Sequence, residues 1–219
     1  MFKRLIALLL AVFVVMHGVR AERPDSLSCR YDHAFNPLGL IAPTSLIVTG
    51  SVITATPLHR QWDMSLRDAV VADDHRSLHF DNYIQYLPAA TPFILNVCGV
   101  KGVHGYRDLF CLTAGSYLMG AATLLTLKYV THVERPYGGV FNSFPSGHTF
   151  TAFVGAEIIR REYGEDYPYI AVAGYLVATV VGAMRIYNNC HWASDVLAGA
   201  GLGILSTSAC YWLAPYLRF

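Results

Sequence analysis

His191 and Asp195 form the first pattern in the sequence with clear chemical potential. The apolar run that begins at Ala193 predicts a helix, so the four-residue spacing places both side chains on one face within hydrogen-bonding reach. A carboxylate bound to one imidazole nitrogen fixes the tautomer and leaves the other nitrogen unprotonated, as a histidine nucleophile requires. Taken alone, this pattern is more often a surface ion pair.

A second pattern, Pro145-Ser146-Gly147-His148, directly precedes an apolar helical stretch. Backbone N–H groups, a hydroxyl and the positive end of the helix dipole form an anion-binding site at such a position. The run would also serve as a simple helix N-cap. Because it stands in the same chain as the histidine and aspartate pattern, we interpret it as a phosphate site.

Three basic residues accompany these patterns: Lys128, Arg135 and Arg185. Lys128 lies late in a long apolar stretch, where snorkelling to the membrane interface is the alternative explanation. Arg135 follows it after six residues, and Arg185 precedes His191 at a similar distance. Three cations near an oriented histidine predict binding of a phosphate group, whose charge persists through the transition state.

The stretches that position these residues are strongly apolar. The sequence is 54% hydrophobic and 14% charged, well below the roughly 25% charged residues of soluble domains, which indicates a membrane protein. Glycines within the apolar stretches suit close helix packing. We expect an all-α membrane helical bundle of about five spanning helices, at residues 86–100, 109–130, 149–159, 170–186 and 193–217, and a soluble helical protein is the alternative.

The N-terminal part has two predicted segments. Residues 1–21, with Lys3, Arg4 and an apolar core, are typical of a signal peptide cleaved after Ala21. An uncleaved first helix is the alternative, although the core of about 12 residues is shorter than the ~20 that a span needs. Residues 22–85 form an N-terminal amphipathic or interfacial segment, in which charged residues such as Asp81 are expected on a wet surface. Residues 86–219 are the catalytic helical bundle.

Basic residues predict the orientation in the membrane, because short cytoplasmic loops are enriched in Lys and Arg. Connections carrying Lys101, Arg107, Arg160, Arg161 and Arg218 alternate along the chain with residues 131–148 and 185–192. We therefore expect the two motif-bearing connections on the periplasmic face of a bacterial inner membrane. After a cleaved signal this requires an odd number of crossings before Leu109, so only one of 37–57 and 86–100 spans, and the second is favoured.

Charge and cysteine content exclude other classes. A net charge of +1 gives no general attraction for nucleic acid. The five cysteines have no C-x-x-C spacing that would suit zinc. We therefore expect neither a metal nor another cofactor.

Taken together, the three patterns resemble the type 2 phosphatidic acid phosphatase superfamily, whose blocks read K-x6-R-P, P-S-G-H and S-R-x5-H-x3-D. The sequence supplies these blocks at 128–136, 145–148 and 185–195. One departure is visible, since Met184 stands where the family usually has serine. The resemblance extends over roughly residues 85–215 and implies this family's helical fold.

The resemblance implies a role for each matching residue. His191 would attack phosphorus and form a phosphohistidine, Asp195 would stabilise the charged ring, and His148 would protonate the leaving oxygen. The remaining matches, Lys128, Arg135, Ser146, the Gly147 N–H and Arg185, would bind the phosphate oxygens, and Glu134 is expected to orient Arg135. No metal is implied.

The implied substrate is a lipid phosphate in the bilayer. Residues 142–148 and the short chain look like small lipid A phosphatases, which implies removal of the 1- or 4′-phosphate. Phosphatidylglycerophosphate and undecaprenyl pyrophosphate are alternatives, because the three blocks recognise phosphate and not its carrier. A soluble acid phosphatase and a vanadium haloperoxidase are remote alternatives, and the sequence does not specify the oligomeric state.

Overall fold

The computed structural model describes residues 37–71 and 79–217, and every regular element within these ranges is helical. A 3-10 turn at Pro37–Leu40 leads into α1 (Ile41–Ala55), and a π-helical turn at His59–Asp63 leads into α2 (Met64–Val70). The chain continues as α3 (Asp81–Ile84), α4 (Leu87–Val97), α5 (Tyr106–Thr131), α6 (Gly147–Tyr163), α7 (Pro168–Tyr187) and α8 (Ala193–Leu217). The all-α prediction is confirmed, whereas the signal predicted at residues 1–21 lies outside the described ranges.

Four helical segments in the described ranges are long and apolar enough to cross a membrane: Pro37–Ala55, Tyr106–Thr131, Pro168–Tyr187 and Ala193–Tyr216. α4 has 11 residues, which at 1.5 Å per residue is about half the thickness of the hydrocarbon core. The preference for 86–100 over 37–57 as a span was therefore wrong on helix length. The helix is shorter than the apolar run predicted because it ends at Val97, after which Cys98 and Gly99 (φ 87°) leave helical geometry.

α1 packs antiparallel to α8 at very close range. A Cβ atom on Gly50 would lie 2.5 Å from the Ser194 carbonyl oxygen, and one on Gly201 would lie 2.5 Å from that of Pro43. The end of α1 thus meets the start of α8. Small residues at such positions allow helix backbones to approach, as in membrane bundles.

α4 runs alongside α6 in the same direction. Gly155 faces the backbone of Ala89, and further along the Tyr163 hydroxyl donates to the Pro92 carbonyl over 3.1 Å. α1 and the α3–α4 segment therefore pass along the bundle in opposite directions before α5 begins. Among the described residues the chain makes two such passes ahead of Leu109, of which α1 alone is long and apolar enough to span a membrane, and the odd number of crossings stays a prediction.

Two kinds of contact hold the bundle together. Large buried side chains, including Leu112, Phe150 and Ile158, form a core between α5, α6 and α8, where van der Waals packing stabilises the contact between the helices. At the end of the bundle opposite the motifs, buried Glu157 of α6 accepts hydrogen bonds from Tyr175 of α7 (2.6 Å) and Ser208 of α8 (3.1 Å). It also pairs with Arg160 and Arg161 of its own helix.

Candidate active site

The predicted histidine and aspartate lie together at one end of the bundle. His191 stands in the short connection before α8, and its Nδ1 lies 3.3 Å from Oδ2 of Asp195 in the first turn of α8. Both side chains are buried. Because Nδ1 faces the carboxylate, Nε2 is the nitrogen on the opposite side of the ring, where a nucleophile must present its lone pair.

Asp195 is fixed by groups from three parts of the chain. Its Oδ2 accepts hydrogen bonds from the Trp192 backbone N–H at 2.9 Å and from the Ser143 hydroxyl. Its carbonyl oxygen accepts the Ser146 backbone N–H at 3.0 Å. The last contact joins the start of α6 to the start of α8, so the second and third sequence blocks share one site.

Lys128 and Arg135 are brought to the same end by the 131–146 loop. The Lys128 ammonium donates to the carbonyl oxygens of Asn142 and Ser143, the latter at 3.3 Å, and Arg135 Nε donates to Asn142 Oδ1 at 2.8 Å. The loop carbonyls thus hold the lysine beside the histidine–aspartate pair. Snorkelling alone does not describe this lysine, because its charge is bound to a defined loop.

Arg185 is held by a carboxylate from a distant helix. Its Nη1 lies 2.6 Å from Asp81 Oδ2 on α3, and Asn188 donates to the other oxygen of Asp81 at 3.1 Å. Arg185 Nε is buried and has no hydrogen-bonding partner among the described residues. A buried unsatisfied donor on a cation is a natural contact for an anionic oxygen.

His148 lies at the start of α6 and contacts α3 as well. Its Nε2 is 2.8 Å from Asn82 Oδ1, so an Nε2–H would donate to the amide oxygen. The adjacent residues Asp81 and Asn82 therefore contact Arg185 and His148, respectively. One short helix holds both side chains.

Ser146 and Gly147 occupy the helix N-terminus that the sequence predicted, as N-cap and first residue of α6. The Ser146 side chain is fully buried, and its oxygen accepts the Thr149 hydroxyl at 3.0 Å. Beside Gly147 the space is open, since a Cβ there would have no neighbour within 4 Å. Contact of the Ser146 hydroxyl and of the Gly147 N–H with phosphate stays a prediction.

Burial controls the protonation of both histidines. Burial lowers the pKa of His191 to about 4, with Lys128 and Arg135 adding to the effect and the Asp195 hydrogen bond opposing it. Burial and then the Arg185 charge lower the pKa of His148 to about 4. A bound phosphate dianion opposes these cations and raises both pKa values. Before phosphate binds, a pKa of about 4 leaves His191 neutral at neutral pH, as nucleophilic attack requires.

A cavity of about 590 Å³ opens next to Arg135. It lies between the 133–138 loop, Trp192 and the turn that contains His59. The Trp192 indole N–H donates to the Glu134 carbonyl at 2.8 Å, which fixes the ring in the wall. Arg135 thus belongs both to the cation set and to the cavity wall.

Two expectations for individual residues were wrong. Asp81, expected on a wet surface, is fully buried against Arg185, because α3 packs into the bundle instead of lying on it. Glu134, expected to orient Arg135, accepts the Gly139 N–H at 2.8 Å, while Arg135 contacts Asn142. Sequence reasoning also missed Ser143 and Asn82, for which no spacing rule gives a signal.

Metal ligands do not gather in the described ranges. No group of three or more His, Cys, Asp or Glu side chains there is placed to hold an ion. The expected chemistry uses only side chains and backbone groups of the chain.

Comparison with known proteins establishes the family. The model of the PAP2 superfamily matches residues 92–219. The chain belongs to the PAP2 superfamily. The resemblance noted from the three sequence blocks is thereby confirmed.

Relatives of known function or structure resemble this chain. A lipid A 1-phosphatase of Porphyromonas gingivalis is 42% identical over 139 residues, which are 63% of this chain and 31% of the relative; the chain thus spans about a third of that relative's length. LpxE of Aquifex aeolicus has a similar fold, with a TM-score of 0.54 and 22% identity over 72% of this chain and 97% of that one.

A phosphatidylglycerolphosphate phosphatase of Bacillus subtilis has the same fold, with a TM-score of 0.51 and 22% identity over 81% of this chain and 98% of that one. At this identity the two structures establish the fold alone.

Proposed function

We propose that this chain is a membrane lipid phosphatase that hydrolyses a phosphate monoester through His191. The observation that carries the proposal is the buried His191–Asp195 pair with three cations near it, one of which has a buried N–H without an acceptor among the described residues. This arrangement presents a neutral nucleophile and positive charge to the same phosphate group. It needs no metal, because the cations supply the charge stabilisation.

The proposed reaction has two steps. His191 Nε2 attacks phosphorus, the bond between phosphorus and the carrier oxygen breaks, and the His148 proton passes to that oxygen. Asp195 stabilises the positive charge of the phosphohistidine. His148 then takes a proton from water, whose oxygen attacks phosphorus and releases inorganic phosphate and free His191.

Lipid A is the proposed substrate, and its 1-phosphate the proposed position. Support comes from the Porphyromonas gingivalis relative, whose name states this activity. The site lies at the end of a bundle with four possible membrane spans, where a lipid headgroup is within reach. Phosphatidylglycerophosphate and undecaprenyl pyrophosphate are the competing substrates.

We propose that the site faces the periplasm. The connections that carry Lys101, Arg160 and Arg161 lie at the opposite end of the bundle, which suits the cytoplasm. With two passes before α5, Pro37 then starts at the cytoplasmic end.

Phosphate release from purified protein in detergent tests the activity. The wild-type chain is expected to release phosphate from lipid A, and His191→Ala is expected to reduce the rate by about 10⁴-fold or more. His79→Ala, at an exposed histidine in the turn before α3, is the matched control. Equal rates for His191→Ala and wild type would overturn the mechanism.

Mass spectrometry of the product separates the substrate proposals. Loss of phosphate from the reducing-end sugar supports the 1-position, and loss from the other sugar supports the 4′-position. Rapid quenching with a ³²P-labelled substrate is expected to trap an acid-labile, alkali-stable label on His191. Loss of activity on adding a chelator would contradict metal independence.

A further inference from the structure

Residues 58–70 form a cap segment over the site end of the bundle. Three contacts hold it there. Buried Asp63 accepts hydrogen bonds from the backbone N–H (3.0 Å) and the hydroxyl of Ser194, and Arg67 donates to Asn189 Oδ1 at 2.9 Å. Within the segment, His59 Nδ1 lies 2.9 Å from Asp63. Ser194 and Asn189 flank His191, so the cap segment is docked on the connection that carries the nucleophile.

The cap segment is one wall of the cavity next to Arg135. The opposite wall is the 133–138 loop, and the Trp192 ring lies between them, with His59 in edge contact at 4.8 Å between ring centroids. The volume of about 590 Å³ is within the range of small-molecule sites, about 300–1,000 Å³. A group esterified to a phosphate on Arg135 reaches this cavity directly, because Arg135 lines it.

The lining favours a polar ring over an acyl chain. The lining combines an imidazole, an indole, a guanidinium and a carboxylate with a few apolar groups. Its residues are His59, Trp192, Arg135, Glu134, Met64, Val133, Pro136 and Gly138. Charged and aromatic groups of this kind bind hydroxylated rings with mixed polar edges and apolar faces. Acyl chains instead suit the exposed apolar surfaces of the helices, where Val172 and Leu176 lie.

We propose that this cavity holds the sugar ring that carries the scissile phosphate, and that the cap segment selects sugar-linked over glycerol-linked lipid phosphates. The proposal rests on the proposed function. It places the selectivity in residues 58–70, which precede the part of the chain that the family model matches. The three sequence blocks then bind phosphate, and the cap segment distinguishes carriers.

Two residues of α2 provide a matched test. Met64 lines the cavity and is 40% exposed, whereas Leu66 is 41% exposed and lies outside it. The test measures kcat/KM for three substrates: lipid A and phosphatidic acid, both in mixed micelles, and p-nitrophenyl phosphate. Met64→Trp is expected to fill the cavity and lower kcat/KM for lipid A by about tenfold or more, mainly through KM, because it removes room that the sugar ring needs.

The same variant is expected to change kcat/KM less than about twofold for phosphatidic acid and for p-nitrophenyl phosphate, whose turnover reports on intact phosphate chemistry. Leu66→Trp is expected to leave all three substrates unaffected. Equal effects of Met64→Trp on both lipids, or none on either, would overturn the cavity proposal while the phosphatase assignment stands. A wild-type chain inactive on all three substrates would overturn the proposed function itself.

Discussion

At the scale of single residues, the contact between Asn82 and His148 sets the charge state of the proposed acid. His148 must be protonated to act on the leaving oxygen, and burial and Arg185 lower its pKa to about 4. Asn82→Asp places a negative charge 2.8 Å or so from Nε2, which raises the pKa of His148. The basic limb of the kcat/KM profile is then expected to move to higher pH by about one unit.

The measurement is a pH–rate profile with p-nitrophenyl phosphate. Asn82→Ala is the control, because it removes the amide without adding charge, and its basic limb should not move upward. An unchanged basic limb in Asn82→Asp would show that His148 does not supply the proton. The acidic limb is expected to follow His191, since activity falls as pH drops through its pKa of about 4 and the imidazole becomes protonated.

Asp81 offers a test of stability. Asp81→Ala leaves the buried Arg185 cation without its 2.6 Å partner, and breaking a buried pair in this way costs about 3–5 kcal/mol of unfolding free energy. Asp68→Ala breaks the Arg67–Asp68 pair, where Asp68 is 64% exposed, and is expected to cost at most ~1 kcal/mol. Denaturant titration in detergent compares the two, and similar losses would contradict the role of Asp81.

Sequence reasoning identified the charged site residues because each falls at a fixed spacing near a helix end. His191 and Asp195 are four residues apart across the start of α8, so local geometry places them together. Asp81 and Arg185 are 104 residues apart. Their contact depends on how α3 packs against α7, and no local pattern encodes that packing.

At the scale of helices, Gly155 controls the approach of α4 to α6. Replacing a helical glycine by alanine normally stabilises a helix by up to about 1 kcal/mol. Here a Cβ would lie 2.3 Å from the Ala89 backbone nitrogen, and backbone cannot move aside as a flexible side chain can. Gly155→Ala is therefore expected to destabilise the bundle by about 1–3 kcal/mol.

Gly105→Ala is the matched control, because a Cβ at Gly105, the residue before α5, meets nothing within 4 Å. The thermal midpoint of each variant in detergent is the measurement. A midpoint for Gly155→Ala equal to or above that of wild type would show that the α4–α6 contact can relax without cost.

The positions of the long helices were predictable from the sequence, and the short length of α4 was not. α5, α7 and α8 coincide with apolar runs long enough for a span, so composition alone located them. The 86–100 run was read as one span, but α4 stops at Val97 and has only 11 residues. Hydropathy measures the length of an apolar run and does not show where a helix within that run ends.

At the scale of the whole molecule, the two passes before α5 make a prediction about topology. Leu58 and Gly139 lie at the site end of the bundle, and Gly99 and Glu165 lie at the other end. Alkaline phosphatase fused after Leu58 or Gly139 is expected to be active, and fused after Gly99 or Glu165 inactive, if the site faces the periplasm. Opposite results for Leu58 and Gly139 would contradict the antiparallel passes of α1 and α3–α4.

Glu157 joins three helices at the end of the bundle opposite the candidate site, and this separation has a consequence for evolution. This carboxylate ties α6 to α7 and α8 at the end remote from the phosphate chemistry. The cap segment contacts Ser194 and Asn189 at the other end of the bundle and shares no residue with the Glu157 contacts. With carrier selection in the cap segment, as we propose, the accepted lipid can change in evolution without loss of the helix contacts at Glu157.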